Sequence, residues 1–292
     1  MKRKKEERTG PPERKGFGSY FFSRPFPFLS FPLMTIDFFK YQGTGNDFVI
    51  IDDRNTTFPA SDQALIERLC HRRFGIGADG LILLQDDTDY DFRMVYFNAD
   101  GAEGSMCGNG GRCIVRFAHD VGLFEKETRF LAVDGEHLAE VRGEDIFLKM
   151  GDVSAIDVRD GLTFLNTGSP HVVQSVDDLE SLDVVSEGRS IRYSASFQPG
   201  GTNVNFAQII DDNTLFVRTY ERGVEDETYS CGTGVTAVAL AAHQQLHMPG
   251  PISIRTIGGN LRVSFNPKAN GQFDTIYLIG PAKRVFAGTI TV

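Results

Sequence analysis

The feature that most limits how this 292-residue chain can fold is a repeated pair of short segments. Cys107-Gly108-Asn109-Gly110 and Cys231-Gly232-Thr233-Gly234 share the pattern Cys-Gly-x-Gly and stand 124 residues apart. That spacing is close to half the length from Met34 onward. Each segment follows a polar loop and leads into a helical pattern. A repeat of that length, present twice, points to two equivalent domains facing each other, since a solenoid needs at least three units. The helix Val235–Leu246 is apolar nearly all round, which places it inside a wrapping sheet and not on a surface.

Around these segments the chain reads as short β-branched or aromatic runs bounded by Gly, Asp and Asn. They are Ile36–Tyr41, Phe48–Asp52, Leu81–Gln85, Phe92–Phe97, Ile146–Met150, Asn203–Ile209, Leu215–Tyr220, Ile252–Thr256, Leu261–Phe265 and Thr275–Gly280. One further helix is predicted over Ser61–Arg73, with Ser61 as N-cap and Leu65, Ile66, Leu69 and Cys70 on one face. The first half is expected to hold residues 34–150 with 281–292, and the second residues 151–280.

Residues 1–33 do not match the rest. Lys2, Arg3, Lys4, Lys5, Arg8, Arg14, Lys15 and Arg24 outweigh Glu6, Glu7 and Glu13, so the remainder is more acidic than the whole-chain charge of −9. The Phe-rich stretch from Phe17 to Leu33 is broken by Arg24 and by prolines 25, 27 and 32. It lacks the unbroken apolar core and cleavage site of a secretory signal. The expectation is a disordered extension with Met34 as the biological start, an organelle-targeting role being the minority alternative.

Composition and motif order exclude several functions. A charge of −9 disfavours a general nucleic-acid binder, which needs surplus Lys and Arg against phosphate. No apolar run reaches the roughly 18–20 residues that span a bilayer, so no membrane partner is expected. Four cysteines in so long a chain do not make a disulfide scaffold, and reduced thiols in the cytoplasm are expected. Gly75-Ile76-Gly77-Ala78-Asp79-Gly80 spells a dinucleotide fingerprint, but a helix precedes it and a strand follows. The order is reversed, and the segment reads as a turn. Gly43-Thr44-Gly45-Asn46, leading into Phe48–Asp52, reads the same way. His243 and His247 share a helical spacing without further ligands, so no metal is expected. Cys70 and Cys113 read as small core residues.

Cys107 and Cys231 carry more. A thiol at a helix N-terminus meets the positive end of the macrodipole, which favours the thiolate. The glycines after it allow close backbone approach, and their free N–H groups bind anions. Two facing copies hold two thiols about one small cavity. That arrangement suits inversion at a carbon bearing a carboxylate, one thiolate as base and the opposite thiol as acid. No pyridoxal-phosphate lysine motif stands out, so no cofactor is expected.

The segments Gly43-Thr44-Gly45-Asn46-Asp47-Phe48, Phe97-Asn98-Ala99-Asp100-Gly101, Cys107 to Cys113, Tyr220-Glu221-Arg222-Gly223 and Cys231 to Gly234 together resemble the diaminopimelate epimerases. The resemblance runs from Met34 to near the C-terminus. It implies an α+β fold of two pseudo-symmetric domains, each a mixed or antiparallel sheet wrapped around a central helix. It implies a cofactor-independent, cytoplasmic homodimer acting on a small molecule, interconverting LL- and meso-diaminopimelate for lysine and peptidoglycan precursors. Cys107 and Cys231 resemble the acid/base pair, with His171 and Glu221 as polar support. Gly108, Asn109, Gly232 and Thr233 would present donors to substrate. Asn46, Asn98 and Asn203 would hold the distal end, Arg222 would take its carboxylate bidentately, and Glu221 would also contact substrate. Taken singly, each Asn also reads as a turn residue and Arg222 as a solvated charge.

Two positions depart from the family pattern. Gly80 stands where Gln is common, and Gly168-Ser169-Pro170-His171 has Ser169 where Asn is common. Competing readings are a proline racemase-like enzyme, a non-catalytic amino-acid-binding protein, and a redox protein in which Cys107 and Cys231 pair.

Overall fold

A computed structural model describes residues 34–292. The expectations for residues 1–33 lie outside the described residues.

The predicted strands all form. β1 (Thr35–Gly43) and β2 (Asn46–Asp52) make a hairpin whose turn residues Thr44 and Gly45 both have positive φ, 50° and 94°, the twist-matched turn of a tight hairpin. β3 (Gly80–Gln85) and β4 (Phe92–Asn98) follow, then helix α2 (Gly108–Asp120), then β5 (Glu127–Ala132), β6 (Gly135–Arg142) and β7 (Asp145–Lys149). Between β2 and β3 lies helix α1 (Gln63–Cys70). It is shorter than predicted: Asp62, not Ser61, is the N-cap, its carboxylate accepting from the Leu65 N–H at 3.0 Å. The chain turns away after Cys70, where His71 Nδ1 accepts from the N–H groups of Arg73 and Phe74.

The second half contains β8 (Ile156–Arg159), β9 (Leu162–Asn166), β10 (Pro170–Ser175), helix α3 (Val184–Arg192), β11 (Asn203–Asp211), β12 (Thr214–Glu221) and β13 (Asp226–Thr228). Helix α4 (Gly232–Leu246), β14 (Ile252–Thr256), β15 (Gly259–Pro267) and β16 (Phe273–Pro281) complete it, and β17 (Lys283–Thr291) returns to the first half beside β1.

The pairings expose the duplication. One ribbon runs β17-β1-β2-β3-β4-β5-β6-β7, with β2–β3 and β4–β5 parallel and the rest antiparallel. The other runs β8-β9-β10-β11-β12-β14-β15-β16, with β10–β11 and β12–β14 parallel and the rest antiparallel. The alternation is identical. α1 and α3 occupy the same place in it, as do α2 and α4. The ribbons join where β7 pairs antiparallel with β16.

Each ribbon curls around its helix. Cys113, Ile114, Val115 and Phe117 of α2, and Val235, Ala237, Val238, Ala239 and Leu240 of α4, are buried. The apolar belt of α4 thus meets sheet on all sides, as its composition requires. Gly108 and Gly232 mark where the two helices meet. A Cβ on Gly232 would lie 3.2 Å from the Cα of Gly108, and Leu278 packs against both positions. Only glycine lets two helix starts approach so closely.

Candidate active site

Cys107 and Cys231 are the N-caps of α2 and α4, one residue before the glycines that touch. Cys107 is partly buried and accepts the Gly110 N–H at 3.2 Å. Cys231 is buried, its Sγ 3.4 Å from Thr233 Oγ1. All four cysteines are free thiols.

The helix ends do not depress these thiols as predicted. Burial pushes Cys107 up to about 11; the Gly110 N–H opposes, Glu221 adds to the rise, and Arg112 opposes. Burial pushes Cys231 up to about 12, helped by Glu221, with Thr233 and the Gly234 N–H opposing and Cys107 adding. Desolvation of a charge outweighs the partial charges of a helix terminus in so dry a place.

Equivalent positions of the two ribbons supply the remaining groups. In register, Phe48 pairs with Gly80 and His171 with Asn203, while Gly80 also pairs with Asn98. By that register Gly80 matches Asn203, Asn98 matches Glu221, and Asn46 matches Ser169. The residues singled out in the sequence therefore sit at strand ends around the two helix starts.

Their bonding differs. Asn109 is buried; its amide donates to Ser230 O at 2.8 Å and also to Asn46 Oδ1, crossing between the halves. Asn46 donates to Asp79 Oδ2 at 3.0 Å. Asn203 donates to Pro170 O at 3.0 Å and Ser169 Oγ at 3.3 Å, and accepts the Arg222 backbone N–H at 2.8 Å. It anchors the turn that carries Arg222. The Arg222 side chain is exposed and donates to Gly200 O at 3.2 Å. Asn98 is exposed beside Gly104. Glu221 is partly buried, and burial raises its carboxyl above the usual range.

His171 reaches Cys231 only through Thr233. It is fully buried, its Nε2 2.8 Å from Thr233 Oγ1 and 3.0 Å from Ser169 Oγ. Its Nδ1 faces Asn205 Nδ2 at 3.1 Å. That amide is oriented by Val172 O and by Thr219 Oγ1, so Nδ1 accepts and the ring proton sits on Nε2. Burial, with Arg222 second, pushes His171 down to about 3 and keeps it neutral.

Three residues escaped the sequence reading. Asn205 alternates with Asn203 on β11, which puts both on one face. Arg112, two residues past the repeated motif, is the largest fully buried side chain among the described residues. Tyr96 fills the space left by Gly80: a Cβ there would lie 2.6 Å from the Tyr96 ring and 2.5 Å from Phe97 O. The ring also presses on Gly104 and meets Phe48 edge-on at 6.0 Å. The unusual Gly80 is thus a packing requirement of Tyr96.

His243 Nδ1 lies 2.8 Å from Met248 O and its ring packs on Phe265 and Phe273, while His247 is the left-handed C-cap of α4. Cys70 and Cys113 are buried in the core, as predicted. No helix among the described residues is long and apolar enough to cross a membrane.

Residues 38–156 and 163–285 match the family model described as diaminopimelate epimerase. The chain is 51% identical over 254 residues to the diaminopimelate epimerase of Flavobacterium psychrophilum, covering 86% of this chain and 99% of that one. It is 45% identical over 263 residues to that of Chlorobaculum tepidum, covering 86% and 100%. Among solved structures, a Bacillus anthracis phenazine biosynthesis protein of the PhzF family superposes with TM-score 0.72 at 15% identity, covering 89% and 100%. A hydroxyproline epimerase from Agrobacterium vitis gives 0.62 at 14% identity, covering 90% and 93%. At such identities these two share the fold alone.

Proposed function

This chain belongs to the diaminopimelate epimerase family, and on that premise we propose that Cys107 and Cys231 perform its reaction, interconverting LL- and meso-diaminopimelate. The observation that carries the assignment is the contact of Gly108 with Gly232, which brings the two thiol-capped helix starts together.

Inversion removes the α-hydrogen from one face and delivers a proton to the other. A thiolate from one half takes the α-proton while the thiol from the other half gives up its own. The pair ends with roles exchanged: the α-hydrogen rests on the first sulfur and the carbon carries the proton that the second gave up. No cofactor enters this scheme. The raised proton affinity of both thiols helps, because a thiolate that binds its proton tightly is a stronger base toward a weakly acidic carbon. The reacting carboxylate gains charge as the α-carbon is deprotonated. Backbone N–H groups that open α2 and α4, at Gly108, Asn109, Gly232 and Thr233, are the donors suited to hold it.

The distal amino-acid end falls to Asn46, Asn98, Asn203, Glu221 and Arg222. Arg222 supports this: it is exposed, and its guanidinium donates only to a carbonyl among the described residues. Glu221 acts on both thiols. His171, acting through Thr233, is a positioning residue. The working halves are residues 34–150 with 281–292, and 151–280. We assign the enzyme to the cytoplasm as a homodimer. Among the described residues β17 pairs only with β1 and exposes Val285 and Phe286, a surface that a second copy would cover; light scattering checks the dimer.

The test is incubation of the purified chain with LL-diaminopimelate in D2O. Deuterium should enter at one α-carbon as the meso isomer appears. Equal turnover of proline or hydroxyproline would favour the proline racemase-like alternative, and binding without exchange would refute catalysis.

A further inference from the structure

The two halves match closely in topology, yet one pair of equivalent residues breaks the symmetry in charge. Arg112 stands five residues after Cys107, and Thr236 five after Cys231. Both are fully buried, and both donate to the first glycine of their helix: Arg112 Nη1 to Gly108 O at 3.1 Å, Thr236 Oγ1 to Gly232 O at 2.9 Å. The bond is conserved between halves while its donor changes from neutral to cationic.

Arg112 has no counter-ion among the described residues. Nη2 donates to Thr44 Oγ1 at 2.9 Å and Asn109 Oδ1 at 3.0 Å, both neutral, and Nε has no partner. Burial of an unpaired guanidinium is costly, enough here to push Arg112 down to about 10. The groups that favour its charged form are Cys113 and Cys107, each when ionised. Cys113 is enclosed in the core, where burial and the charge of Asp47 on β2 keep it protonated, although Arg112 opposes them. Cys107 alone is partly exposed at the site.

We propose that Arg112 makes the two catalytic thiols unequal, so that Cys107 gives up its proton before Cys231 does. Arg112 is thus a positioning residue that acts through Cys107. Its charge serves as the missing counter-ion, and the ion pair forms when Cys107 ionises. The other groups around the thiols do not supply this difference. Glu221 on β12 acts against both. Tyr96 on β4 stays protonated, burial raising it with Cys107, Asp79, Cys70 and Glu221 adding. His171 on β10 is neutral, and Arg222 acts on that histidine. On α4, Thr236 brings no charge.

This inference rests on the two-thiol reading, but its test uses no substrate and so fails separately from it. The wild-type chain is alkylated with iodoacetamide across a pH series, and each cysteine peptide is quantified by mass spectrometry. The thiolate-dependent rise should come at lower pH for Cys107 than for Cys231; the reverse order, or coincident rises, overturns the proposal. Arg112→Met and Arg112→Gln should slow Cys107 alkylation roughly tenfold at a fixed pH below both midpoints, equivalent to about one unit of proton affinity. Cys231 should stay within about twofold on the same scale. Arg112→Lys should restore Cys107. Equal changes at both cysteines, no change at Cys107, or a Lys variant that behaves like Met would each overturn it.

Discussion

The side-chain amide of Asn109 donates to the backbone carbonyl of Ser230 at 2.8 Å, tying the second residue of α2 to the residue before Cys231. It is a hydrogen bond between the duplicated halves, made at the point where both thiols are set. The same amide group reaches Asn46, and its oxygen accepts from Arg112 and Thr44. One side chain therefore fixes the hairpin turn, the buried cation and the approach of the opposite half.

Asn109→Ala should lower epimerase kcat/KM by on the order of 100-fold, since small misplacements of reacting groups carry penalties of that size. Thermal or urea unfolding should show a loss of about 1–3 kcal/mol from the acceptors left unpaired. Asn109→Asp keeps the shape but removes the donor to Ser230 O, so it should lose activity as the alanine variant does. Full activity in Asn109→Asp would show that this bond does not align the halves.

Cys107→Ala and Cys231→Ala should each lower inversion by on the order of 10²–10⁴-fold or more, because each deletes one of the two proton positions. Both should melt near the wild-type temperature: Cys231 makes no capping hydrogen bond to its helix, and Cys107 makes one weak one through sulfur. Isomer interconversion followed by chiral chromatography, beside a melting curve, checks both halves of the statement. Retention of inversion in either variant would contradict the assignment of the pair.

Much of the site was legible because its chemistry is local. The Cys-Gly-x-Gly turns declare their helix starts by residue type, and the tight turn at Thr44-Gly45 follows from glycine before a strand. What the sequence hid was long-range. Strand β17 is exposed along most of its length, β6 is threaded with Glu136, His137, Glu140 and Arg142, and β10 begins at Pro170, so none shows a clean apolar pattern. Helix α3 buries only Val184 and Gly188, too little for a stripe. The matching order of strand pairings is likewise invisible, since each pairing joins distant segments. The raised proton affinity of the thiols is hidden because helix ends are visible in sequence while the depth of burial is not.

His171 carries a pH signature. Its folded-state value is pushed down to about 3, against 6.5 for a free histidine. Between those limits the unfolded chain binds a proton that the folded chain refuses. Stability therefore falls as pH drops from about 6.5 toward 3, by a few kcal/mol in all from this group. His171→Gln removes the titration, so its stability should decline less steeply with acid than the wild type, even if it starts lower at neutral pH. Urea unfolding at several pH values between these limits measures the two slopes. Parallel slopes would mean that His171 is not held neutral.

Gly80 and Tyr96 form a pair that should mutate together or not at all. A Cβ at position 80 would meet the Tyr96 ring at 2.6 Å and Phe97 O at 2.5 Å, so either the ring or strand β4 must move. Gly80→Ala should destabilise by about 1–3 kcal/mol through overpacking. Gly80→Gln should cost at least as much and impair activity, because the displaced ring shares the space at Gly104 with Asn98. In a Tyr96→Ala background the ring clash is gone and only the contact with Phe97 O remains. The double-mutant cycle should then show a coupling of roughly 0.5–3 kcal/mol in the direction of relief. Additive effects at the two positions would mean that Tyr96 does not occupy the space that Gly80 leaves.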